Sequence, residues 1–584
     1  MSGNSSETLT SISKYSFHWY DYVFFCVMLF ISVAIGVYYG FLRKKNLTPT
    51  EYMMGNKDMK GLPVAISITA CHISGVNLLG VPADAYRFGG SYLLGVISMV
   101  FVIAITIFIY VPVFFELQIT SIYGYLEMRF DKKTKAVVSF LYICCELFYL
   151  PIVVYAAALT LSAATGFTTN LQIIIVCCIC IFYTSVGGLR AVIWTDIFQF
   201  LIFFTVFLVV FVLGIKTEGL LTVWNKTLES GRLDIFNLDL DLTDRNNVWT
   251  SVIGLTFHWI ALNIVNQATI QKILTVSSLT QAKFTVFYFE FLFVMIKVIC
   301  VILGFVIYTR YSSCDPFTTK QVEKNDQLVP HYVMDIAGNT GLPGIFVCGI
   351  ISAALSTLSA NVNAMAGVIY QDFLKDLIPN VSERTKCNIL KLLVVAIGIW
   401  CMCISFVIVH SEGIVLLQLT SSAVYSGPVL GIFTLGVLFP RVNANGAFYG
   451  AMVGFITIFL LAVPSKFLQS QGKLKVIPKP LSTDRCNVLN HTFIPTSPLV
   501  TTDSYTIFKI TPFCYTFIGA SVTLIVGLVI SYFTKCEHLP NEALLSPVTR
   551  FILTRRVRKA EASYTNVEEA LKQLQQAETK DVDS

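Results

Sequence analysis

The sequence predicts an all-α polytopic membrane protein of about thirteen transmembrane helices, with the N-terminus outside and the C-terminus inside. Three observations carry that expectation. The 584 residues are 55% hydrophobic and only 13% charged, with a mean hydropathy of +0.70, far from the make-up of a soluble domain. Apolar runs of about 20 residues, enough to cross a bilayer as helices, recur along the chain. Lys and Arg collect in the short segments between those runs, so the net charge of +6 calls for no nucleic acid.

In chain order the runs lie near 20–42, 61–84, 92–115, 136–164, 170–187, 191–215, 248–268, 282–308, 342–370, 388–410, 413–438, 443–463 and 512–533. The first is not a cleavable signal: Met1 to Ser16 is polar, and the apolar stretch runs into Arg43, Lys44 and Lys45 without a small-residue cleavage site. Those three residues follow the first run. Arg129, Lys132, Lys133 and Lys135 follow the third, Lys272 and Lys283 the seventh, and Lys375, Arg384, Lys386 and Lys391 the ninth. The positive-inside rule puts these segments in the cytoplasm. Sequons at Asn4, Asn225 and Asn490 then fall outside, where glycosylation is expected, and those at Asn46 and Asn380 fall inside, unused. Of the 16 cysteines most lie in helices as small apolar residues. Cys314 and Cys486 share the outer, oxidising side and are a candidate disulfide.

Runs two to eleven split into two groups of five, and an odd number per group inverts the second relative to the first. The expected organisation is 1–60 (extracellular N-terminus, first extra helix, cytoplasmic loop), 61–216 (first five-helix repeat) and 217–247 (extracellular loop), then 248–438 (second repeat), 439–535 (two added helices with the extracellular loop 464–511) and 536–584 (cytoplasmic tail). Inverted repeats hold their ligands at broken helices, so the first member of each group should be weakened in a matching place. The first carries His72, Ser74, Gly75, Asn77, Gly80 and Pro82; the second carries Asn263, Asn266 and Gln267. A broken helix frees carbonyls for cations and exposes N-termini for an anion.

Residues 350–366 form an apolar helix with a one-sided hydroxyl stripe. Ala353, Ser356 and Thr357 stand at i, i+3 and i+4, so a carbonyl and two hydroxyl oxygens can meet. Such a neutral oxygen cage suits a weakly held hard cation, sodium above all. Close packing of small residues against a neighbouring helix is the competing explanation.

The segment 187–199, with Gly187, Gly188, Val192, Thr195, Asp196 and Gln199, resembles the signature of the sodium:solute symporter family, which includes the sodium/glucose cotransporters. Further matches are 266–272, the helix at 350–366 and 441–450, in order over nearly the whole chain. The resemblance implies a LeuT-like five-plus-five inverted repeat. It also implies a principal sodium site at Ala70, Ile73, Ala353, Ser356 and Thr357, the last a threonine where sugar transporters have serine. Asp196 is the family position for a second sodium, but its hydroxyl partners are replaced by Cys71 and Ala360. An ion pair with Arg190 is the alternative for that aspartate.

Where sugar members hydrogen-bond their substrate, this chain has His72, Asn77, Asn263 and Thr420, without the family's aromatic and glutamine. The run 80–89 and Phe257-His258-Trp259 ahead of Asn266 and Gln267 are similar instead to the branch of sodium-coupled monocarboxylate and multivitamin transporters. The resemblance therefore implies sodium-coupled symport, across the plasma membrane and by alternating access, of a small organic anion. That class includes lactate, short-chain fatty acids, biotin and pantothenate. Choline, iodide, proline or sugar transport, and a non-transporting sodium-dependent sensor, are the alternatives. An anion would be held by the broken-helix N-termini, Asn266, Gln267 and a protonated His72.

Glu146 lies inside the 136–164 run, and Glu290 and Lys297 share the 282–308 run at i, i+7, expected to pair with each other or across helices. No Walker motif, dinucleotide loop or metal cluster points to an enzyme, and sodium is the one ion called for. The tail residues Arg550, Arg555, Arg556, Arg558 and Lys559 predict contact with anionic lipid, while no protein partner is indicated.

Overall fold

The computed structural model describes residues 19–42, 48–55, 57–245, 247–322, 324–337, 340–409, 413–471, 473–474, 478–484, 486, 507–534 and 540–555. For 163–164 and 413–423 it describes the helical backbone alone, so the side chain of Thr420 lies outside the description, as do Asn4, Asn46, Asn490, Arg556, Arg558 and Lys559. Among the described residues the only extended pairings are isolated bridges, Met59 with Val276 and Asn237 with Asn247. Nine described helices are long and apolar enough to cross a bilayer, and a bent helix pair supplies up to one more. The chain is a multi-pass membrane protein, nearly all-helical among the described residues.

The elements are α1 (Trp19–Val37), α2 (Gly61–His72), α3 (Gly75–Phe88), α4 (Ser91–Leu117), α5 (Lys132–Thr165), α6 (Thr169–Glu218) and α7 (Leu255–Ile264). They continue with α8 (Gln267–Ile273), α9 (Leu279–Tyr311), α10 (Leu342–Val368), α11 (Glu383–Val409), α12 (Gly413–Leu438), α13 (Ala444–Ser470) and α14 (Tyr515–Thr534). Side-chain caps fix several starts: Asp131 accepts from Thr134 N at 2.7 Å, Ser278 from Gln281 N at 3.3 Å and Asn443 from Gly446 N at 2.8 Å.

The two polar-interrupted runs are broken where the sequence weakens them. α2 and α3 meet at a bend of 65° around Ile73 and Ser74. α7 stops at Ile264, and Asn266 caps α8 by accepting from Thr269 N at 3.1 Å. The runs at 170–187 and 191–215 are two helices, named together α6, that meet at Gly188, whose φ of +62° is not helical. Only glycine takes that backbone cheaply. A Cβ there would also sit 2.9 Å from the Tyr52 ring, whose hydroxyl donates to the Ser185 carbonyl freed by the kink, at 3.1 Å.

Burial ranks the helices. The apolar window of the span containing α10 is 94% buried against 33% for that containing α1, so α10 is the central helix and its hydroxyls face protein, not lipid. α13 and α14 pack through small residues: a Cβ on Gly450 would lie 2.8 Å from the Thr523 carbonyl and 2.9 Å from Gly527 Cα. Loops tie the bundle ends. At the end holding the α3 and α9 termini, Tyr86 donates to Asp315 at 2.6 Å, Arg245 pairs with Asp84 at 2.7 Å, and a disulfide joins Cys314 to Cys486. At the other end Tyr125 donates to the Leu544 carbonyl at 3.0 Å and Arg550 pairs with Glu116 at 2.7 Å.

Candidate functional site

Ending a helix inside a bundle leaves four carbonyls without intrahelical partners. Those of α2 are each met by a different group. Ile73 N–H closes on Thr69 O at 3.0 Å, Ser356 Oγ reaches Ala70 O at 3.0 Å, Thr357 Oγ1 reaches Cys71 O at 3.0 Å, and Asn77 Nδ2 donates to His72 O at 3.1 Å. Both hydroxyls also stand 3.0 Å from the Ala353 carbonyl of their own helix. Thr69, Ala70, Cys71, Ile73, Ala353, Ser356 and Thr357 are buried, and His72 and Asn77 are partly so.

The result is a neutral cluster of oxygens from Ala70, Cys71, Ala353, Ser356 and Thr357. Two hydroxyl protons face three carbonyls, so lone pairs outnumber protons. A hard monovalent cation fits that donor set. The sequence paired Ala70 with Ile73; here the carbonyl that reaches Thr357 is that of Cys71, because α2 stays helical to His72 and Ile73 is its cap.

A second polar network begins on the other side of the break. Asn77 Oδ1 accepts from Lys297 Nζ of α9 at 2.7 Å, and His72 Nε2 lies 2.7 Å from Thr269 Oγ1 of α8. The His72 ring packs on Phe289 with centroids 5.2 Å apart, and Lys297 Nζ sits 5.2 Å from the Phe293 centroid. Of the two expectations for Glu290, pairing with Lys297 or across helices, the second holds: it accepts from Asn263 of α7. Among the described residues no carboxylate lies within ion-pair distance of Lys297, which is only 9% exposed. Its partner lies across helices, the second of the two pairings expected for it.

Asp196 is fully buried in α6 and does not meet Arg190. Six residues apart on a helix, the two point to different faces, and Arg190 binds Asp58 at 2.5 Å near the surface. Asp196 Oδ2 accepts from Lys272 Nζ at 2.8 Å and Ser67 Oγ at 2.7 Å.

The remaining residues named from sequence are divided. Gln267 spends its amide on a loop, accepting from Ile122 N at 2.8 Å and donating to Thr120 O at 2.7 Å, and Asn266 is spent as a cap. His72 and Asn77 lie together at the break, whereas Asn263 is engaged by Glu290. Asn225 is exposed on the short helix Leu220–Glu229. An apolar groove lined by Phe140, Phe373, Phe455 and Phe459 lies apart from all of these and carries no polar chemistry.

The model of the sodium:solute symporter family matches residues 52–454. Sodium-coupled monocarboxylate transporter 2 of Mus musculus is 37% identical over 527 residues, covering 89% of this chain and 84% of its own. A putative sodium-dependent multivitamin transporter of Drosophila melanogaster is 32% identical, covering 88% and 86%. Among solved structures, a Na+-coupled sialic acid symporter in a substrate-bound outward-open state superposes with a TM-score of 0.71 at 21% identity, over 88% of this chain and 98% of that one, which establishes a common fold. With broken helices at its centre, a matching family model over most of its length and relatives at this level of identity, the chain belongs to the sodium:solute symporter family.

Proposed function

We propose that this chain couples inward sodium movement to uptake of a small organic anion across the plasma membrane, with its N-terminus outside and its C-terminus inside. The observation that carries the anion assignment is Lys297, a buried ammonium with no carboxylate partner among the described residues, held at the helix break by Asn77. An unpaired charge in a membrane protein interior is costly, so one is retained where a ligand completes it. Asn77, His72, Thr269 and the N-terminus of α3 surround the place where a substrate carboxylate meets that ammonium.

Sodium is assigned to the oxygens of Ala70, Cys71, Ala353, Ser356 and Thr357, with Ile73 at the edge of the same break. On binding, the two hydroxyls turn their protons away and offer lone pairs. Cation and carboxylate on opposite sides of one helix break attract, by about 2 kcal/mol for charges about 8 Å apart at an effective dielectric of about 20. Each therefore raises the affinity of the other, which is the thermodynamic content of coupling. The five-helix repeats at 61–216 and 248–438 supply the moving parts. Tyr86 with Asp315 bridges one end of the path, and Gln267 with the 120–122 loop bridges the other. Alternating access requires that these contacts part in turn.

The relatives named as monocarboxylate transporters favour a monocarboxylate as the solute, and the one named for vitamins keeps biotin and pantothenate in the panel. Radiotracer uptake by cells lacking endogenous transport, with lactate, butyrate, biotin, pantothenate and glucose in sodium or choline medium, tests the reading. Sodium-dependent accumulation of a carboxylate and none of glucose is expected; carboxylate uptake unchanged in choline overturns it.

A further inference from the structure

The pocket around Asp196 lies one helical turn along α10 from Ser356 and is filled by a side chain from α8. Asp196 Oδ2 accepts from Lys272 Nζ at 2.8 Å and Ser67 Oγ at 2.7 Å, and Oδ1 stands 3.5 Å from Ser359 Oγ. Lys272 Nζ also donates to the Ser67 carbonyl at 3.2 Å. Asp196 is fully buried and Lys272 is 1% exposed. The ammonium thus meets a carboxylate from α6 and a carbonyl from α2, while hydroxyls from α2 and α10 meet the same carboxylate; carboxylate, carbonyl and hydroxyl are the ligand types a sodium ion takes.

Cys71, Val192, Ala268, Ala360 and Ala364, contributed by the same four helices, form an apolar cluster. A sodium ion would have to share one dry carboxylate with an ammonium, and like charges exclude each other there. A second sodium does not fit these residues.

We propose that Lys272 is a tethered cation standing in for a second coupling ion, so that the protein binds a single sodium, at Ser356 and Thr357, in each cycle. The tethered charge neutralises Asp196 in every conformation without being carried across the membrane. Because Lys272 sits on α8, directly after the broken segment, it also ties that helix to α6 and α2 by bonds that ion release does not dissolve. The inference rests on reading Ser356 and Thr357 as the sodium ligands, and a direct binding measurement separates the two.

Equilibrium binding of radioactive sodium to the purified full-length protein, with no solute present, counts the sites. The parent is expected to bind one sodium per chain, and Ser356→Ala/Thr357→Ala to bind none. Lys272→Met frees Asp196 and is expected to raise the count to two, while Asp196→Asn/Lys272→Met, which removes both charges, returns it to one. Two sodium ions bound by the parent, or one retained by Ser356→Ala/Thr357→Ala at the Asp196 pocket, overturns the proposal. A monodisperse Lys272→Met that still binds one does the same. If Lys272→Met does not fold, the parent and the neutral double variant decide: a count of two in either contradicts a tethered cation. A parent count of one that Ser356→Ala/Thr357→Ala leaves intact, and that Asp196→Asn/Lys272→Met removes, puts the ion at Asp196 and refutes both readings. Failure of uptake alone, with the binding count as expected, faults only the choice of solute.

Discussion

The Ser356 hydroxyl lies 3.0 Å from the carbonyl of Ala70, 286 positions earlier in the chain. That contact joins the central helix α10 to the end of α2, and Thr357 repeats it one residue on with Cys71. Two adjacent residues thus read two adjacent carbonyls of a helix that ends in the core.

Removing either hydroxyl takes an oxygen from the proposed cation site. Hydrogen-bond and ligand contacts to charged groups are worth about 1.5–3 kcal/mol, so Ser356→Ala and Thr357→Ala should each weaken sodium activation by about ten-fold or more. Thr357→Ser keeps the oxygen and should stay close to the parent. The sodium concentration giving half-maximal uptake is the measurement, and an unchanged value in Ser356→Ala would leave the hydroxyl as packing.

Lys297 separates anion recognition from cation binding. Losing a charge-assisted contact of about 1.5–3 kcal/mol, Lys297→Met should raise the KM for a carboxylate substrate by about ten- to hundred-fold while sodium binding in the absence of solute is retained. Lys297→Arg keeps the charge but changes its shape, so an intermediate KM is expected. Equal damage to sodium binding in Lys297→Met would place the lysine in structure and not in recognition.

Gly188 tests the kink of α6. Its φ of +62° with ψ of −166° lies in a region open essentially to glycine alone, and the Tyr52 backbone crowds the missing Cβ at 3.0 Å. Gly188→Ala should cost about 1–3 kcal/mol and lower the thermal midpoint of detergent-purified protein. A wild-type midpoint would show that the backbone relaxes elsewhere.

The disulfide between Cys314 and Cys486 closes a loop of 172 residues over the bundle end. Cys314→Ser, Cys486→Ser and the double variant should lose about 2–4 kcal/mol alike, because each removes the same cross-link. Thermal unfolding with and without reductant checks this, and a single variant more damaging than the double would point to the freed partner thiol.

Legibility from sequence followed physical range. Span lengths, the break at 73–74 and the oxygen stripe of α10 are local patterns of hydropathy, glycine and hydroxyl spacing, and they survive folding. The partners of buried charges are not local. Asp196 had Arg190 six residues away in sequence, yet helical phase turned that arginine outward and brought Lys272 from 76 positions on. Glu290 and Lys297 share a helix, yet each hydrogen-bonds an asparagine on a different one. Gln267 looked like a substrate ligand because it is polar and deep, and only the fold shows its amide spent on the 120–122 loop.

The most direct test of coupled transport at this site is accumulation of a labelled monocarboxylate in proteoliposomes carrying the purified protein, under an inward sodium gradient or its choline equivalent. The account predicts transient concentration of the carboxylate above the external level with sodium, none with choline, and loss of accumulation in Ser356→Ala/Thr357→Ala. Equal carboxylate entry in sodium and choline would contradict it.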